Sequence, residues 1–107
     1  SLFSHLPERT WQAWLRTLHG AVAPGGVLVM TTHGEEAARK SGVDWGADGF
    51  AFFAASESQA LHGTEYGTAF ASARFVGQAI AASAPQAEFI HIPSAFWSYQ
   101  DAWILSG

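Results

Sequence analysis

A short polar cluster, Thr31-Thr32-His33-Gly34, directly follows the apolar run Val27–Met30. The run has no polar side chains, as expected for a strand buried between two helical layers. Open α/β sheets bind ligands just beyond the carboxyl ends of their strands, which is where this cluster lies. An imidazole titrates near neutral pH, so His33 is a candidate for proton transfer.

The elements that position this cluster follow from the residues before it. Pro7 suits the first position of a helix, and Gly25-Gly26 supplies the turn into the strand. Apolar residues between them recur at the spacing of one helical face. They are Trp11, Trp14, Leu15, Leu18 and Val22. The sequence therefore predicts a helix, a glycine turn and a buried strand, which form the second half of a strand–helix–strand unit.

The rest of the chain predicts two more helices and four more strands. Helices are expected over 35–41, ended by Gly42, and over 73–83, with Ser72 as N-cap. Strands are expected over 49–54, 66–70, 88–92 and 100–105, with a polar loop over 56–65 and a connection over 93–99. We found no linker or repeat, so residues 1–107 are interpreted as a single α/β domain.

Composition excludes several classes of partner. The net charge is −4 with a single Lys, so nucleic acid is a poor candidate. No apolar run approaches the ~18 residues of a membrane span, so no membrane partner is expected. The chain has no cysteine, which excludes disulfides and thiolate metal sites and fits a cytoplasmic protein.

The five histidines do not follow a metal-binding pattern. They contain no H-x-x-x-H pair on a helix, so no metal site is expected. A serine hydrolase is also disfavoured, because the chain has no G-x-S-x-G motif.

Four short motifs resemble one enzyme family. The segments 3–7 (FSHLP), 23–29 (APGGVLV), 66–68 (YGT) and 100–105 (QDAWIL) occur in this order. In that order they resemble the carboxyl half of class I S-adenosylmethionine-dependent methyltransferases. The resemblance covers nearly the whole chain.

The resemblance implies the carboxyl portion of a Rossmann-like methyltransferase sheet. Strands five, seven and six of that sheet would be present, in this spatial order and with the seventh antiparallel, together with flanking helices and a small β insertion. The glycine-rich loop that holds S-adenosylmethionine in the family is absent from this sequence. We therefore expect a fragment that is inactive alone, and methyl transfer to a small-molecule acceptor by the intact protein.

The resemblance also assigns residues to the two ligands. Phe3, Ser4 and His5 would contact the cofactor, while Thr32, His33, Gly34 and Tyr66 would face the acceptor. The catalytic residue is left open: methyl transfer needs a base only when the acceptor must lose a proton, and His33 is the candidate. The structural alternatives are a helix cap for Ser4 or His5 and a loop histidine at position 33. Tyr66 and the pair Gln100-Asp101 are candidates for the mouth of the pocket. Tyr66 alternatively fits a cross-strand core aromatic, and Asp101 alternatively fits a strand-start cap or one partner of a hydrogen-bonded corner.

A non-catalytic α/β association domain is the alternative function. Without a fourth strand beside it, the strand at Val27–Thr32 would have an unpaired edge. Unpaired apolar edges favour self-association, so we expect a homodimer formed through this edge.

Overall fold

The computed structural model describes residues 2–53, 67–97 and 100–107. Within these ranges the chain forms a mixed five-stranded sheet and three α-helices, preceded by a 3-10 helix at Leu2–Ser4. No helix among the described residues is long and apolar enough to cross a membrane. The helices are α1 (Glu8–Gly20), α2 (Glu35–Ser41) and α3 (Ala73–Ser83). The strands are β1 (Val27–His33), β2 (Phe50–Phe53), β3 (Thr68–Ala71), β4 (Phe89–Phe96) and β5 (Gln100–Ser106).

The last strand lies between two strands that run opposite to it. The order across the sheet is β2-β3-β1-β5-β4. β5 is antiparallel to β4 and also to β1, along which it pairs from Val27↔Ser106 to His33↔Gln100. β1 and β4 therefore run in the same direction, and the predicted order of these three strands is confirmed. β2 and β3 form an antiparallel pair that meets β1, in parallel, at His33↔Phe70.

Helices α1 and α3 pack together on one face of the sheet. Ser72 begins α3 as predicted, its hydroxyl accepting a hydrogen bond from the amide of Phe75 at 3.1 Å. Trp11 is fully buried in α1, and its indole N–H donates to the carbonyl of Phe3 at 3.1 Å. The largest fully buried side chains on this face are Trp11, Leu15, Val76, Ile80, Trp103 and Leu105.

Three predictions about local structure are wrong. Trp14 was placed on the buried face of α1, but it is 43 % exposed because the helix buries a narrower stripe centred on Trp11 and Leu15. Val22 lies beyond the helix, which ends at Gly20. The predicted connection over 93–99 is also too long, because β4 continues to Phe96 through an irregularity of register between Ile92 and Phe96. Bulges of this kind accommodate a proline inside a strand.

The opposite face of the sheet is only partly covered. α2 packs Ala37 and Ala38 against Phe70 of β3. Further along this face, Val29 and Ile90 flank Ile104 and are 54 % and 60 % exposed. The expectation that β1 is buried on both faces is therefore wrong for its first half, which no described helix covers on this side.

The edge of β1 away from β5 is largely unpaired. Because β3 meets β1 at His33, no described strand pairs with Val27–Thr32 on that side. The 3-10 helix lies beside this edge, and Leu2 and Phe3 share a small cavity there with Leu28. The edge on which the homodimer prediction depends is thus present, and the dimer itself stays a prediction.

The two tryptophans of α1 give a matched test of this packing. We expect Trp11→Ala to lower the free energy of unfolding by about 3–5 kcal/mol, because it removes a buried ring and leaves a cavity. Trp14→Ala should cost less than about 1 kcal/mol, since that ring is largely exposed. Urea unfolding followed by circular dichroism measures both. Equal losses for the two variants would contradict the assigned orientation of α1.

Candidate functional site

Polar side chains gather where β1 ends and β5 begins. Successive residues of a strand point to opposite faces of the sheet. Thr32 therefore lies on the face covered by α1 and α3, whereas His33 lies on the face covered by α2. The residues predicted to face one acceptor are thus divided between two faces.

His33 is held by hydrogen bonds at both ring nitrogens. Its Nδ1 lies 3.2 Å from the carbonyl oxygen of Ala69, and its Nε2 lies 3.2 Å from the amide nitrogen of Gln100. A carbonyl oxygen can only accept, so the proton of the neutral ring is on Nδ1. Nε2 then accepts from the Gln100 amide, and the lone pair that a general base would use is already engaged.

The surroundings of His33 also disfavour its charged form. Burial lowers the pKa of His33, the hydrogen bond to Ala69 opposes this in part, and the neighbouring His5 lowers the pKa further. The rings of His5 and His33 are 6.4 Å apart, and Nδ1 of His5 donates to the carbonyl of Gly67 at 2.7 Å. His33 is therefore better suited to holding neighbouring groups in place than to taking up a proton.

Two buried oxygens near His33 have no hydrogen-bond partner among the described residues. They are Oε1 of Gln100 and Oγ1 of Thr31, both on the same face as His33. The tautomer of His33 directs the Gln100 amide nitrogen toward the ring, so Oε1 points away from it. An unsatisfied buried polar group costs about 1–3 kcal/mol.

A cavity of about 310 Å³ lies beside the His33 ring. His33 and Phe70 form one wall and residues of α2 form another, with Lys40 and Thr68 at its border. The lining is mostly apolar. Its volume is at the lower end of the range found for small-molecule sites.

The residues predicted to bind the cofactor have different degrees of exposure. The side chains of Phe3 and Ser4 are buried. The Phe3 ring packs edge-on against Trp11, with ring centres 4.7 Å apart. Phe3 and Ser4 thus fit the interior of this chain better than a bound cofactor, and His5, which is half-buried, is the partly exposed side chain of the three.

Thr32 and Gly34 have structural contacts on the helical face. Oγ1 of Thr32 accepts a hydrogen bond from the indole N–H of Trp103 at 3.0 Å, and both side chains are fully buried. Gly34 lies against the carboxylate of Asp101, where the Cβ of any other residue would overlap the carboxylate oxygens. Tyr66, the remaining predicted acceptor residue, lies outside the described residues.

A second titratable group lies on this face. Nε2 of His91 is 2.7 Å from Oδ2 of Asp101, and Oδ1 of Asp101 accepts from the amide of Ser94 at 3.0 Å. Asp101 is thus one partner of a hydrogen-bonded corner, which is one of the two structural alternatives that the sequence left open. His91 was missed, because only the register His91↔Trp103 brings it beside β5. Among the described residues, no three His, Asp or Glu side chains are placed to hold a metal ion.

Comparison of the chain with protein-family models, with curated proteins and with solved structures found no significant match. The site is therefore interpreted from its own residues and geometry.

The pH dependence of stability tests the environment of His33. Because the pKa of His33 is lowered from its ordinary value of 6.5 in the fold, the unfolded chain binds this proton more readily. His33 therefore favours the fold above that value, and this contribution is lost as the pH falls through the lowered pKa. We expect His33→Gln to flatten the decline in free energy of unfolding between about pH 7 and about pH 5.

Urea unfolding at each pH measures this decline. The matched control is His19→Gln, since His19 bonds the carbonyl of Ser106 at the opposite end of the sheet. If the free energy of unfolding of His33→Gln fell with pH as steeply as that of the unchanged protein, the buried environment assigned to His33 would be contradicted.

Proposed function

We propose that residues 1–107 form the carboxyl-terminal part of a class I S-adenosylmethionine-dependent methyltransferase domain, with a Rossmann-like sheet. In this proposal β1, β5 and β4 are the fifth, seventh and sixth strands of that sheet. The intact protein, a cytoplasmic enzyme, transfers a methyl group to a small-molecule acceptor, and the chain alone is inactive. The single observation that supports this most strongly is the reversed strand β5 lying between β1 and β4.

The sequence motifs support the same assignment independently of the sheet order. The glycine turn leads directly into β1, and the QDAWIL segment forms most of the reversed strand β5. The motifs and the strand order therefore support the proposal through the same two strands, β1 and β5. The β2–β3 pair takes the place of the small β insertion.

The chain's own residues position ligands in this proposal. S-adenosylmethionine supplies an already activated methyl group, so the protein mainly orients the acceptor and excludes water. The apolar cavity beside His33 and Phe70 is the proposed acceptor site, with the Gln100 amide held by the His33 ring. Of the three predicted cofactor residues, His5 is the one retained, since the side chains of Phe3 and Ser4 are buried.

Calorimetry with S-adenosylmethionine tests the proposal. We expect no detectable binding by the 107-residue chain and micromolar binding by the protein extended with the residues encoded upstream of Ser1. His5→Ala in the extended protein should weaken binding, whereas the matched His19→Ala should not. An extended protein that binds no S-adenosylmethionine would refute the methyltransferase assignment. Micromolar binding of S-adenosylmethionine by the 107-residue chain would contradict the claim that this chain is inactive by itself.

The exposed apolar surface favours the alternative, a non-catalytic association domain. Val27, Val29, Ile90 and Ile92 are each at least 42 % exposed and neighbour one another across β1, β5 and β4. Together with the unpaired edge of β1, this surface favours self-association. The proposed partner in both cases is a second copy, joined through the Val27–Thr32 edge.

Sedimentation velocity tests the dimer. We expect the chain to sediment as a dimer and Val29→Lys to shift it toward the monomer, because lysines on edge strands oppose pairing. Thr17→Lys, on helix α1, is a control that adds the same charge away from the edge. A monomer at high protein concentration would contradict the dimer without affecting the methyltransferase assignment.

A further inference from the structure

A second cavity, of about 390 Å³, lies where β5 begins, beside the first residues of α2 and α3. His91, Ser94 and Asp101 complete its lining, together with Pro93. The register places His91 and Asp101 on the same face of the sheet as Trp103, which is the face that α1 and α3 cover. None of the residues named at this cavity lines the cavity at His33 and Phe70, so the two are separate.

The carboxylate of Asp101 fixes the orientation of the His91 ring. Asp101 is 2 % exposed, and each of its oxygens accepts one hydrogen bond, from Nε2 of His91 at 2.7 Å and from the amide of Ser94 at 3.0 Å. A carboxylate can only accept, so the proton of the neutral imidazole lies on Nε2. The lone pair is consequently on Nδ1.

Stacking holds the plane of the same ring. The rings of His91 and Trp103 are 3.9 Å apart and only 6° from parallel. The indole is itself held by its hydrogen bond to Thr32. The Asp101 hydrogen bond fixes the edge of the His91 ring and the Trp103 stacking fixes its plane. Enzyme sites position an imidazole in a similar way where its free nitrogen must face a substrate hydrogen.

The remaining nitrogen of His91 is available to a ligand. Nδ1 is hydrogen-bonded to none of the described residues, and it is not among their buried unpartnered atoms. The His91 side chain is 21 % exposed, and the ring forms part of the cavity wall. A molecule in this cavity can therefore reach a lone pair whose direction the protein has fixed.

The other acidic residues at the cavity do not account for this site. The Glu36 carboxylate pairs with Arg39 and Lys40. Glu35 accepts from the amide of Ala73 at 3.3 Å. Both glutamates therefore already have partners, whereas Nδ1 of His91 has none among the described residues.

We propose that the cavity at His91 and Asp101 binds a small molecule through a hydroxyl or amine hydrogen donated to Nδ1 of His91. Asp101 is the positioning residue, since its carboxylate holds the tautomer and orientation of the His91 ring. The apolar part of the ligand lies against Pro93 and Ala73. The inference does not depend on the methyltransferase proposal, because it rests on a separate cavity and on different side chains.

Matched probes test this inference on the 107-residue chain. Benzyl alcohol and benzyl methyl ether share one ring, and the ether has no hydrogen to donate. NMR titration should show benzyl alcohol binding about tenfold more tightly than the ether, the value of one good hydrogen bond. The ¹⁵N signal of His91 Nδ1 should shift on binding. Benzylamine carries a positive charge at neutral pH, so its affinity relative to the alcohol shows whether the site prefers a charged donor beside the Asp101 carboxylate.

Variants separate this role from a structural one. His91→Gln should abolish the preference for a donor, whereas the matched His19→Gln should retain it. In Asp101→Asn the side-chain amide nitrogen donates to Nε2 of His91, so the ring proton moves to Nδ1. The protonated and unprotonated ¹⁵N ring signals of His91 should therefore exchange between the two nitrogens. The preference for a donor ligand should be lost, because Nδ1 no longer has a lone pair. Equal affinity for the alcohol and the ether, no binding of any probe, or an unchanged preference in His91→Gln would each overturn the inference.

Discussion

The structure depends on the antiparallel pairing of β1 with β5. This pairing runs over seven residue pairs, from Val27↔Ser106 to His33↔Gln100, and it joins the first strand of the described sheet to the last. It brings Trp103 and Leu105 onto the helical face, where α1 and α3 cover them. It also sets the position of β4, which is bonded to β5 alone among the described strands.

The same pairing distributes polar groups between two faces. Because side chains alternate along a strand, one end of the β1–β5 pair supplies His33 and Gln100 to one face and Thr32 and Asp101 to the other. On the first face the neutral imidazole of His33 lines an apolar cavity and also holds the Gln100 amide. On the second, a buried carboxylate holds an imidazole that opens onto a separate cavity. A one-residue slip in register would exchange both sets.

Local patterns were sufficient to predict the helices and most of the strands. Pro7, the glycine turn and the Ser72 cap act within a few residues, so the sequence displays them directly. The exposure of Trp14 was not predictable in this way, because it depends on which stripe of α1 meets α3. The strand through Pro93 was missed because its irregular register depends on pairing with β5.

The candidate site was predicted only in part, for the same reason. The position of His33 at the end of a strand follows from sequence. Its partner Gln100 is 67 residues away, and that contact exists only because β1 and β5 pair in one register. His91 and Asp101 are ten residues apart, yet no local motif marks them, since it is the hairpin between β4 and β5 that brings them together.

Cross-strand NOEs in the 107-residue chain test the arrangement of β5 most directly. The structure predicts backbone NOEs from β5 to both neighbours, linking Trp103 with Met30 on one side and with His91 on the other. NOEs that join β1 directly to β4, with none from β5 to β1, would contradict the arrangement on which both sites depend.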